Sequence, residues 1–546
     1  MKQLKRSLKG SLSRKRDGMD VSKILKPLSG EQFTSAFLIG TGAIGVAVLA
    51  IGLVSGIRSL TNGNVSSSNY AFSYQNNPYS SPLPQTSTPT LSAATAVSSS
   101  RAGKKDDTLL SLFESGGEHN QCLVEKKQLS DADMRVARIA WTYFENNYNA
   151  ETGLVNSVHG YPSTTMWDTG SALAAFLAAR DFGFIGQKEF DDAMMKLMHS
   201  LQRIKLFDGK APNKVYNTHT LDMVDYGNNA VEGGIGVSVL DLARLISWMD
   251  TLQCMHPQYH NPANAALSRW DYTDLIKNDE MYGMARDPLT GEILVLQEGR
   301  LGYEQYAGKI FDKAGFPVDT AKSYENKHRA DTEILGVQIA HDARDPRIYH
   351  ANNYVVTESY AMDAMELGTD RINIELLKKI FEVQKRRWQE TGIVTAISED
   401  NINQEPWFLY NTIFTSGIPF NTITETGAQH NNLKTVSTKA ALSMAMLFPN
   451  DEYSKVLLST IGSAYDDDIG WYSGVFESGG YNDVATANTN GVILSVLLYK
   501  KYDTLAKICE KCGTQLNISS DIRKQPNDDQ ATDEVALNCE SCGPED

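Results

Sequence analysis

The sequence predicts a mainly α fold, a toroid of helical hairpins, and three observations carry that expectation. Helical periodicity dominates residues 130–501: SDADMRVARIAWTYFENNY, EFDDAMMKLMHSLQRI and INIELLKKIFEVQKRRW space their apolar residues three or four apart. SALAAFLAARDFGF and NTNGVILSVLLYKKY are apolar nearly all round, as helices buried on every side must be. Loops rich in glycine, aromatics and amides lead into a helix near Asp168, Gly236, Tyr303, Glu358, Ser437 and Asn488, about 50 to 80 residues apart. Six such units, each able to hold an outer helix, a loop and an inner helix, suit a ring whose loops converge on a central cleft. Solenoid repeats resemble one another in sequence, and these six do not.

Residues 1–32 hold nine basic side chains against three acidic ones. Residues 33–57 that follow carry no charge at all. At 1.5 Å per residue a helix of that length spans a hydrocarbon core of roughly 30 Å, so the segment predicts a transmembrane anchor. The basic flank places residues 1–32 in the cytoplasm and the rest of the chain outside it, in single-pass inner-membrane topology. A cleaved signal peptide is the competing reading, but the apolar run exceeds the usual h-region. Gly52 and Gly56 form only a weak helix-pairing motif. Residues 58–125 are rich in Ser, Thr, Pro and Asn and cannot bury enough apolar surface to offset the entropy of ordering, which predicts a flexible tether.

The chain has 546 residues and a formal charge of −15. Because residues 1–32 are basic, the remainder is more acidic still, and an acidic exterior repels phosphate backbones, so nucleic acid is excluded as a partner. The string GGIG at 233–236 lacks the spacing and the Lys-Ser/Thr of a nucleotide loop.

The toroid is expected over residues 126–505. Its first loop, GYPSTTMWDTGS, offers Trp167 as a flat apolar face and Asp168 at a helix start, where it serves as a cap or as a substrate ligand. The second supplies Asp225 and Tyr226, in a stretch of Asn and Asp that turns also favour. The third and fourth place Glu304 beside Tyr303 and Tyr306, and Glu358 beside Tyr360. A carboxyl desolvated among aromatics rises in pKa toward the range of a general acid, and glycoside hydrolysis requires two such groups. Glu304 and Glu358 are therefore the expected acid and base pair, with Asp168 as a third candidate. The last loops add Trp407, Tyr410, Trp471, Tyr472, Glu477 and Asn490. Trp and Tyr stack on the apolar faces of sugar rings while amides and carboxylates bind the hydroxyls, so the expected partner is a polysaccharide or oligosaccharide.

The segments GYPSTTMWDTGS, VDYGNNAVEGGIGVSVLDLARL, QEGRLGYEQYAG, YVVTESYAMDAMELG and GWYSGVFESGGYNDVATANTNGVIL resemble the bacterial family called domain of unknown function 3131, over most of residues 130–503. That resemblance implies an (α/α)6 toroid of the glycoamylase-like, carbohydrate-active kind, in an envelope or exopolysaccharide setting. It carries no activity with it. Two functions are thus expected from the same groove: a glycoside hydrolase or transglycosidase with paired carboxylates, or a non-catalytic glycan-binding or scaffold protein of a polysaccharide synthesis or export system.

Six cysteines complete the reading. Cys122 and Cys254 could pair in an oxidising exterior. In the tail, residues 506–546, Cys509, Cys512, Cys539 and Cys542 form two Cys-x-x-Cys-Gly knuckles. Their spacing resembles a zinc ribbon, predicting one structural zinc on four thiolates, with disulfides as the alternative.

Overall fold

A computed structural model describes residues 126–509 except 288, 346–351 and 507. The expected cytoplasmic segment, anchor and tether, and nearly all of the tail, lie outside the described residues. Among the described residues, no helix is long and apolar enough to cross a membrane.

The described chain is mainly helical. In chain order its α-helices are α1 (Asp131–Asn147), α2 (Met166–Phe182), α3 (Gln187–Arg203), α4 (Val239–Met255), α5 (His260–Leu267), α6 (Tyr303–Lys313), α7 (Thr357–Met362, continued by a π-turn to Leu367), α8 (Arg371–Thr391), α9 (Thr438–Leu447), α10 (Glu452–Ile461) and α11 (Ala487–Tyr502). Helix α2 packs on α4, α4 on α6, α6 on α7, α7 on α9, α9 on α11 and α11 back on α2. The six close a ring, consistent with an (α/α)6 toroid. Helices α2, α4 and α11 are buried along most of their length, as their uniform apolarity requires.

Helices α1, α3, α5, α8 and α10 form the outer layer, each burying one face. In α8, for example, Leu376, Leu377, Ile380 and Val383 point inward while Arg371 and Glu375 stay exposed. The remaining outer position differs from the expected helix. It is an antiparallel hairpin, Arg329–Ile334 with Val337–Asp342, whose Ile334, Val337 and Ile339 share a core with α8. The connecting loops also hold more strand than the sequence suggested: short antiparallel segments such as Ser163–Thr165, Gly236–Val237 and Thr435–Ser437 run directly into α2, α4 and α9.

Inner helices approach closely at glycine. A Cβ built on Gly491 of α11 would lie 2.7 Å from the Ser171 carbonyl oxygen of α2, and one on Gly170 would lie 3.1 Å from the Arg244 backbone of α4. Backbone there cannot swing aside. Gly491→Ala should therefore cost about 1–3 kcal/mol by overpacking, read as a lower urea midpoint with unchanged slope.

The structure joins Cys254, near the end of α4, to Cys509 in a disulfide. This corrects the expected pairing of Cys254 with Cys122, and it removes Cys509 from the expected zinc site, because a disulfide sulfur is not the thiolate that zinc needs. Asp250, which sits beside this disulfide, is engaged by Lys313 at 2.6 Å. Cys122, Cys512, Cys539 and Cys542 lie outside the described residues.

Candidate active site

The N-termini of the inner helices gather at one end of the ring, and the reason is local. Three of the six begin at a side-chain cap: Thr165 accepts a hydrogen bond from the Asp168 N–H, Ser238 from Asp241, and Thr486 from Thr489. First-turn carboxylates follow in α2, α4, α6 and α7, where the helix dipole favours negative charge.

Beneath this end lies a buried polar network. The Trp167 indole N–H donates to Asn488 Oδ1 at 3.0 Å, and Asn488 Nδ2 donates to Glu358 Oε1 at 2.9 Å. Lys439 lies 2.5 Å from the other Glu358 oxygen and 3.7 Å from Asp400. Ser398 donates to Glu358 at 3.1 Å, and the Tyr303 hydroxyl donates to Glu399. Burial pushes the Asp400 carboxyl up to about 8, against the pull of the Lys439 charge. Burial likewise raises Glu399. The Lys439 ammonium is held above the ordinary lysine range because Glu358, Asp400 and Glu399 outweigh its desolvation.

Above the network opens a cavity of about 910 Å³, lined by loops from several of the units. Asp168 is in its wall, only 3% exposed. Burial raises its carboxyl, opposed by hydrogen bonds from Ser157 and Thr165 and by the charges of Lys439 and Arg244. Glu425, on the turn after Thr422–Ile423, also lines the cavity, and burial raises its carboxyl too. Tyr161, Tyr226, Trp407 and Tyr472 are partly exposed in the same wall, and His159 and His430 complete its titratable groups apart from Glu405 and Asp483. Burial lowers the His159 pKa.

Of the residues expected from sequence, Asp168, Tyr226, Trp407 and Tyr472 come together here. The others do not line the cavity. Glu304, fully buried, pairs with Arg344 and accepts from the Met281 N–H. Glu358 belongs to the network below. Trp167 is 1% exposed, packed edge-on to Tyr303 at 5.6 Å and covered by the Arg244 guanidinium at 5.1 Å. Tyr410 stacks on Tyr354 with ring centroids 3.9 Å apart. Asp225 accepts from the Asn229 N–H at 2.8 Å and so builds its own turn. Trp471 donates to the Val136 carbonyl at 3.1 Å, and Asn490 holds the Trp471 backbone from both sides, at 2.9 and 3.1 Å. Glu477 forms a two-pronged pair with Arg387 at 2.5 and 2.9 Å.

Sequence reasoning missed His159, Glu425 and His430. Glu425 and His430 sit in TETGAQHNN, a polar turn without aromatics, and only its tertiary placement marks it.

Fold and cleft together define a helical ring with a loop-built cavity at the N-terminal end of its inner helices. The chain belongs to the family described as protein of unknown function (DUF3131), which matches residues 135–503. No curated protein matches it by sequence. Among solved structures it is similar to a glucoamylase-like protein from Bacteroides caccae ATCC 43185, at 14% identity and TM-score 0.53, over 72% of this chain and 98% of that one. A similar protein from Bacteroides uniformis ATCC 8492 shows 13% identity and TM-score 0.52, over 73% and 97%. An endo-β-1,2-glucanase from Chitinophaga pinensis, in complex with sophorotriose and glucose, shows 13% identity and TM-score 0.51, over 72% and 98%. At such identities the likeness is one of fold.

Proposed function

We propose that the domain is a glycoside hydrolase or transglycosidase acting on a polysaccharide laid through the cavity, with Asp168 as general acid and Glu425 as the second carboxyl. The observation that carries this reading is Asp168 itself: a carboxyl almost fully buried yet open to a cavity of about 910 Å³, beside partly exposed Tyr226, Trp407 and Tyr472. A carboxyl raised by burial keeps its proton to higher pH than an ordinary one and can pass it to a glycosidic oxygen as that bond breaks. The second carboxylate then activates a water, or attacks the sugar carbon directly. The three aromatics supply faces for sugar rings. The fold it shares with the Chitinophaga endo-β-1,2-glucanase, a sophorotriose and glucose complex, supports a glycan occupant.

This reading is tested by product release from a panel of β-1,2-glucan, α-glucans and envelope polysaccharides, with wild type and Glu425→Gln side by side. Release by wild type, lost in the variant, is the expected result. Binding without release from any glycan would make the domain a glycan-binding protein.

The charge-free segment 33–57 supports a further part of the reading: a single-pass anchor in the cytoplasmic membrane with the cavity-bearing domain outside. Protease added to cells whose outer barrier has been opened is expected to digest the domain. Protection until the inner membrane is lysed would overturn that orientation.

A further inference from the structure

Apart from two histidines, the acidic and basic side chains lining the cavity are all carboxyls. Four carboxyl side chains line it: Asp168, Glu425, Glu405 and Asp483. Among the described residues, no lysine or arginine does. The two basic side chains nearest Asp168 in electrostatic effect, Lys439 and Arg244, are buried beneath the wall and already committed to Glu358 and Glu366. Glu405 and Asp483 are exposed at the rim. They belong to two different loops, 402–407 and the strand Tyr481–Ala485, which are tied together where Asn403 Nδ2 donates to Asp483 Oδ1 at 2.7 Å. These rim acids are not needed for the proton transfer assigned above, and both are exposed while lining the cavity.

A uronate, sulfate or phosphate on a sugar in this cavity would meet the rim carboxylates with no lysine or arginine in the lining to pair it. Like-charge placement at a binding surface costs affinity and rejects wrong partners. An ammonium on a sugar would meet the opposite. We propose that the cleft takes a polysaccharide free of anionic groups and prefers one bearing free amino groups, with Glu405 and Asp483 as its specificity-determining residues. The inference rests on the glycan reading of the cavity, but not on turnover.

The test therefore measures binding. Chitosan oligomers of glucosamine, their N-acetylated counterparts and oligogalacturonate are titrated calorimetrically into wild-type protein and into the Glu405→Gln/Asp483→Asn variant at low ionic strength. A control variant, Glu382→Gln, removes one acid far from the cavity on α8. Glucosamine oligomers should bind wild type more tightly than the acetylated ones, and oligogalacturonate should not bind. The rim variant should lose about fivefold of the preference, as two exposed charge pairs allow, and the control none. Because Asn keeps an oxygen for Asn403, the loop tie survives in the rim variant. Binding of oligogalacturonate, an equal loss in the control, an unchanged preference in the rim variant, or no binding of any oligomer would each overturn the proposal. If the preference holds but no glycan is cleaved, the selectivity stands and the hydrolase reading falls.

Discussion

Asp168→Asn is expected to lower product release by about 100- to 10,000-fold, the range contributed by positioned acid–base groups. The substitution keeps the side chain's size and an oxygen to accept the 2.8 Å hydrogen bond from Thr165, so the capping turn of α2 and the cavity wall should persist. What disappears is the transferable proton. Glycan affinity, measured separately by calorimetry, should change little. The pH profile of wild type carries the same signature. Burial holds the Asp168 carboxyl above its ordinary value, and the protonated form is the active one, so activity should fall as pH rises through that raised value. In Asp168→Asn the residual activity should lack this limb. Retention of full activity by the variant would remove Asp168 from the mechanism.

Lys439→Met is expected to produce the largest loss of stability. Lys439 is 3% exposed and is the cation beside Glu358 and Asp400, two carboxyls that are themselves buried. Removing one member of a buried ion pair leaves the other uncompensated, at a cost of about 3–5 kcal/mol. The cost depends on pH, and the sign follows from Asp400. Its folded-state value, about 8, is above the unfolded value of roughly 3.9. The folded protein therefore holds a proton that the unfolded chain has released, and stability falls as pH rises between the two values. Without the lysine that opposing pull is lost, and the fall should steepen. Urea midpoints of wild type and variant at pH 5 and pH 8 check this; an equal difference at both would refute the electrostatic account.

The ring was largely legible because its signal is strong and local. Helices that touch neighbours on all sides must be apolar all round, as α2 and α11 are, and that is visible in the letters. The outer hairpin was not: RADTEI and VQIAHD flank Leu335-Gly336, and Ile334, Val337 and Ile339 turn to the core. It went unread among helices because two short strands carry little periodic signal.

The site was legible only in part, since a carboxylate's role depends on partners that sequence does not reveal. Glu304 and Asp168 both stand in the first turn of an inner helix. Glu304 is answered by Arg344, which is 40 positions away, whereas Asp168 opens on the cavity. Trp471 and Tyr472 illustrate a second limit. In the strand Gly470–Phe476 neighbouring side chains face opposite ways, so Tyr472 reaches the cavity while Trp471 turns into the core. Composition marks both, and only the strand's phase separates them.

Ring closure has a consequence for how the domain is made. The Trp167 indole finds its partner, Asn488, 321 residues later. At a ribosomal pace of roughly 5–20 residues per second, α2 emerges and then waits tens of seconds for the helix that covers its last apolar flank. Until then every nascent chain carries an open seam, and no shorter product can seal it. A message cut short before Asn488 should yield not a smaller working domain but an insoluble one, so α11 acts as a built-in check that synthesis has passed the point where the ring can close.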